Sequence, residues 1–136
     1  MKVNLSTRLF TGSLRAGLLI ATALTLSACA SNRYTQEQIA QSNAALAQVE
    51  TAYQQGDYGS VIRRVSTDSA LHDGPKTTRV QALKLQAFSL CMENYEVMCQ
   101  ERFQEILALQ PDFTLQPSEE GHPLWGPVFE RAKQAQ

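Results

Sequence analysis

The sequence predicts an all-α fold, a small bundle of two helical hairpins closed by a C-terminal capping helix. Three observations predict it. Four successive stretches repeat their apolar residues at the helical period. Turn residues separate these stretches at Gly56, at His72 to Pro75, at Asn94 and at Pro111. A last apolar cluster, Leu124, Trp125, Val128 and Phe129, follows the second hairpin. The 136 residues, 43% apolar and 18% charged, suffice for one domain with a modest core. Twelve Lys and Arg against thirteen Asp and Glu leave a net charge of -1. That balance offers no basic footprint and argues against nucleic-acid binding.

The amino terminus reads as an address. Lys2, Arg8 and Arg15 carry the only charges in residues 1–28, and an apolar, small-residue stretch runs from Ala16 to Ala28. This is the layout of a signal peptide. At about 13 residues the apolar run is shorter than the roughly 20 that a membrane-crossing helix needs, so no retained span is expected. It ends in Leu26-Ser27-Ala28-Cys29, which resembles the lipobox of bacterial lipoproteins. The resemblance implies cleavage before Cys29 and acylation of that residue, palmitate included; the competing reading is an ordinary secretory signal with an incidental or buried thiol. Three acyl chains exceed the two signals that stable anchoring takes. Ala30 stands where an Asp would resemble an inner-membrane retention signal, which favours the outer membrane, facing the periplasm. The expected organisation is a cleaved signal peptide over 1–28, a lipidated Cys and tether over 29–35, and a helical domain over 36–136. Losing three cations leaves nine against thirteen anions, a net charge of -4 on 108 mature residues.

Thr35 and Gln38 have capping-box spacing, so a first helix is expected from about 36 to 55, with Ile39, Leu46, Val49 and Tyr53 on one face and Gly56 ending it. Asp57 caps a second helix whose apolar stripe, Tyr58, Val61, Ile62 and Val65, lies opposite Arg63 and Arg64 and fades near Leu71. Pro75 opens a third. Val80, Leu83, Ala87, Leu90 and Cys91 define one face of it, and Ala82, Leu85 and Phe88 a second, which makes it the central element. After Asn94 a fourth helix places Cys99, Phe103, Ile106 and Leu107 inward and Glu96, Glu101, Arg102 and Glu105 outward, until Pro111 stops it. Asp112 to Gly121 reads as an irregular connection, and a short fifth helix closes the bundle.

Few constellations carry chemistry. Cys91 and Cys99 flank the turn near Asn94, and in an oxidising compartment such a pair is a disulfide candidate, the alternative being free core thiols. A zinc site lacks two further ligands nearby, and a redox motif needs closer sulfurs. His72 and His122 are the only histidines, each in a loop. Ser66, Ser69 and Asp68 lie near His72 without a nucleophile turn, Glu119 and Glu120 are adjacent and diverge, and no Gly-rich phosphate loop exists. Nothing here supports an enzyme, a cofactor, a metal or a small-molecule substrate. The segment Gly121 to Phe129 sets two prolines and two glycines around the sole Trp, which suits a plug for the bundle or an aromatic anchor for a partner. His122, Trp125 and Phe129 are its candidate binding residues.

Residues 39–71 and 76–111 resemble two divergent copies of a unit of about 34 residues, the period of a tetratricopeptide repeat. Ala87, Leu90, Phe103, Ile106, Leu107, Leu109 and Pro111 sit at that repeat's signature positions, whereas Gln86 and Cys99 replace its usual Leu and Ala. Two repeats leave an apolar face open, so a terminal cap is expected. The Tyr53 to Tyr58 turn, Cys91 and Cys99, Pro111-Asp112-Phe113 and the Gly121 to Phe129 segment are together similar to the TssQ family of lipoproteins associated with type VI secretion. The resemblance implies a non-enzymatic adaptor that binds protein components of an envelope secretion complex through a helical groove. A pilotin-like or assembly lipoprotein of another envelope machine, and an envelope hydrolase or its regulator, are the rival expectations.

Overall fold

The computed structural model describes residues 34–136. The signal segment, Cys29 and the tether as far as Arg33 lie outside the described residues. The chain then forms α1 (Gln36–Gln54), α2 (Tyr58–Thr67), the single turn α3 (Ser69–His72), α4 (Lys76–Met92), α5 (Glu96–Leu109), the single turn α6 (Pro117–Glu120) and α7 (Gly126–Gln134).

Thr35 is the N-cap of α1. Its hydroxyl accepts from the Gln38 amide at 3.1 Å while its own amide donates to Gln38 Oε1 at 2.8 Å, so the box satisfies two amides that have no partner within the helix. The buried stripe of α1 is Ser42, Ala45, Val49 and Ala52, and Ile39, Leu46 and Tyr53 are half-buried at its flanks. Small side chains at the contact bring helix axes close together. The larger residues on the expected face therefore seal the edges of the contact.

Both hairpins turn by the same device. Gly56 (φ 74°) and Asn94 (φ 63°) adopt the left-handed conformation that ends α1 and α4. The Asp57 amide donates to Ala52 O at 2.9 Å and the Tyr95 amide to Leu90 O at 2.8 Å, the long-range bond of a Schellman motif in each case. Gly56 and Asn94 are 38 residues apart, not the expected 34 or so. The difference arises where the second helix was expected to fade near Leu71. Asp68 is extended (ψ 109°), ends α2 and caps α3 through the Ala70 amide at 3.0 Å, which adds a turn that buries Leu71. The chain then crosses α1 at Gly74, where a Cβ would stand 2.5 Å from Ala70 O and against Ser42 Oγ. Only glycine fits that crossing.

α4 is the central helix. It packs against α1, α2 and α3 as well as against α5, which in turn carries α7. Its two apolar faces are buried as expected, except that Leu85 is half-buried while Lys84 and Gln86 are inside. Gln86 donates from Nε2 to Ile62 O (3.1 Å) and Ser66 Oγ (2.8 Å) and so ties α4 to α2. Phe103 of α5, fully buried, meets Phe88 and Phe129 edge-on at 6.1 and 5.1 Å. Removing a side chain of that size from water contributes about 2 to 3 kcal/mol. Val128, Phe129 and Ala132 of α7 cover the open side of α5, and Phe113 packs edge-on against Phe129 at 5.9 Å. The connection after Pro111 is not wholly irregular. Pro117, whose missing amide is harmless at a helix start, opens α6.

Candidate functional site

Side chains from four parts of the chain converge on the C-terminal half of α4: Tyr53 from the end of α1, Lys84 and Phe88 from α4, Glu119 from α6, and His122 and Trp125 from the link to α7. Lys84 Nζ lies 2.7 Å from Glu119 Oε1, with the two side chains only 9% and 18% exposed. Glu119 is the knot of the cluster. Its Oε2 accepts from the Gln116 amide at 3.0 Å and its carbonyl accepts from Trp125 Nε1 at 2.9 Å. Trp125 stacks on Phe88 at 4.2 Å, and His122 stacks on Trp125 at 3.3 Å. His122 Nδ1 accepts from the Leu124 amide at 3.3 Å. Lys84 Nζ also stands 5.7 Å over the Phe88 ring, an added attraction for the ammonium. Burial first, and then the neighbouring Tyr58 and Glu119, push the Tyr53 hydroxyl above its usual pKa.

The cluster is a clasp. The pair is closed and hydrogen-bonded, and its effect is to hold residues 116–125 across α4. Of the three residues expected to bind a partner, Trp125 and Phe129 lie in the core at 7% and 3% exposure, and His122 is half-buried. The segment is a plug first, and the surface it leaves is the half-buried His122 with the exposed Gly121, Pro123, Leu124 and Pro127.

Cys91 and Cys99 form a disulfide, Cα to Cα 5.4 Å, between the end of α4 and the first turn of α5. The residues near His72 do not assemble. Ser66 Oγ donates to Ile62 O and accepts from Gln86, Asp68 caps α3, and His72 is exposed. Of the adjacent pair Glu119 and Glu120, the first is in the clasp and the second is exposed. Glu96 and Glu101 do face outward, but Arg102 and Glu105 are half-buried and paired at 2.9 Å.

A surface groove of about 360 Å³ runs between α1 and α2, lined by Ala47, Gln48, Thr51, Asp57, Ser60 and Arg64 among others. Arg64 Nη1 donates to Gln48 Oε1 at 2.6 Å across it. Hydrogen bonds from Ser60, aided by Arg63 and Arg64, hold the Asp57 carboxyl below its usual range, as a helix cap should. Among the described residues no group of three or more His, Cys, Asp and Glu side chains could hold a metal ion, and no helix is long and apolar enough to cross a membrane.

Sequence reasoning missed Lys84. Its signal was a cation set between the two apolar faces of the central helix, which requires a buried partner from elsewhere in the chain. It also missed the exposure of Tyr95, Val97 and Met98, apolar residues that fall outside the Cys99, Phe103, Ile106, Leu107 stripe. Comparison with protein-family models, curated proteins and solved structures finds no match.

Proposed function

We propose that this chain is a lipid-anchored, non-enzymatic adaptor of a bacterial envelope secretion complex, held at the outer membrane through Cys29 and facing the periplasm. One observation carries the reading: the bridged Cys91–Cys99 pair lies in a chain that opens on a signal-peptide pattern ending at Leu26 to Cys29. Disulfides persist in oxidising compartments, so the bridge and the leader point to the same side of the membrane by independent routes. The stacked hairpins supply a rigid, helical surface for a protein partner. The type VI assignment follows from the resemblance of the Tyr53 to Tyr58 turn, the cysteine pair and the Gly121 to Phe129 segment to the TssQ family.

The test is a cross-linked pull-down of the acylated protein from its native membranes, with Cys29→Ser as the anchor control. The expected result is capture of type VI membrane-complex or sheath-associated components, with the variant left unprocessed or released from the outer membrane. Capture of a different envelope machine would transfer the adaptor role to that machine. A Cys29→Ser protein that still fractionates with the outer membrane would remove the anchor from the reading.

A further inference from the structure

The α4–α5 turn presents an apolar surface that the packing of the domain does not use. Tyr95, Val97 and Met98 are 55%, 75% and 48% exposed, and with Leu124 they make up the large exposed hydrophobics of the described residues. They follow one another at the N-cap and first turn of α5, with Met92 half-buried beside them. The surface is rigid. Asn94 holds the turn in its left-handed conformation, the Cys99 amide donates to Tyr95 O at 2.9 Å, and the Cys91–Cys99 bridge ties the two helices together. A surface fixed in advance loses little entropy when something docks on it.

Charge selects the occupant. Residues 92–101 contain Glu93, Glu96 and Glu101 and no Lys or Arg. Glu96 pairs with Arg131, whereas Glu93 and Glu101 are exposed carboxylates rimming the apolar patch. Such a rim repels anionic headgroups and favours a partner that brings cations. α1 and α4 run parallel, since Thr78 near the start of α4 meets Asn43 in the first half of α1, and Phe88 meets Tyr53 toward their ends. The tip therefore lies at the far end of α1 from Thr35, about 28 Å away for the 19 residues of that helix.

We propose that the α4–α5 tip is the docking surface for a protein partner, which presents an apolar segment flanked by Lys or Arg. The proposal rests on the adaptor reading and adds to it the surface and the chemistry of its partner. Tyr95, Val97 and Met98 supply the apolar contact, and Glu93 and Glu101 orient the partner and reject acidic competitors.

The test places the photo-cross-linking residue p-benzoylphenylalanine at Val97 of the full-length lipoprotein in native membranes, with Arg63 on α2 as the comparison position. The expected result is a protein adduct at Val97 whose cross-linked peptide, sequenced by mass spectrometry, carries Lys or Arg beside apolar residues. Glu93→Lys with Glu101→Lys should reduce its yield about tenfold without changing thermal unfolding, and added salt should weaken it. An adduct only with lipid, with a second copy of this chain or with an acidic segment overturns the tip assignment. A partner captured through Arg63 but not through Val97 overturns the tip and leaves the adaptor reading standing; no protein adduct at either position overturns both.

Discussion

Lys84 and Glu119 show how much a single pair of residues decides in a domain this small. An ammonium at 9% side-chain exposure carries a desolvation penalty that a carboxylate at 2.7 Å must offset, and Glu119, at 18%, keeps both the Gln116 amide and some access to water. The two partners are therefore not equivalent. Glu119→Ala leaves the buried cation unpaired and should lower unfolding free energy by about 3 kcal/mol in urea denaturation. Lys84→Met leaves the carboxylate partly solvated and should cost about 1 kcal/mol. Equal losses for the two variants would mean that burial of the ammonium is not what the pair resolves. The role of Lys84 was not legible in the sequence, because its partner lies 35 residues away in a segment with no periodicity.

At the scale of elements, each hairpin is closed by a left-handed residue and a Schellman bond, and the second is also bridged. The positions equivalent to Cys91 and Cys99 at the 38-residue offset are Tyr53 and Val61, which are apolar. The bridge spans eight residues of sequence, a short loop for which chain entropy gives roughly 2 to 3 kcal/mol. Reduction with dithiothreitol should lower the melting temperature by about 10 °C or more in differential scanning calorimetry, given about 4 to 8 °C per kcal/mol for a domain of this size. Two titratable thiols in the untreated protein would refute the bridge. Helix starts and hairpin turns were legible because caps, Gly56 and the cysteine spacing act over a few residues. The break at Asp68 was not, because the apolar stripe continues through it to Leu71, and only the packing shows that Leu71 arrives on a separate turn.

For the whole molecule, the chain after Leu109 completes the core. Phe113, Leu115, Trp125, Val128 and Phe129 are all buried, Phe129 and Trp125 pack on Phe103 and Phe88, and Glu119 supplies the partner of Lys84. A chain ending at Leu109 should lose cooperative thermal unfolding and bind the dye ANS, since its two hairpins alone expose α5 and the far end of α4. A sharp two-state transition in that truncated protein would show that the hairpins are self-sufficient and the C-terminal segment an appendage. The sequence by itself determined the helical class, the paired hairpins, the capping helix and the two cysteines at one turn, because period, capping and turn chemistry are local. Tertiary structure alone decided that residues 116–125 lie across α4, that Trp125 is a plug, and that Tyr95, Val97 and Met98 stay uncovered. Those outcomes depend on which surfaces meet across about 35 residues of chain, as Lys84 meets Glu119 and Glu96 meets Arg131, and no local pattern records such a meeting.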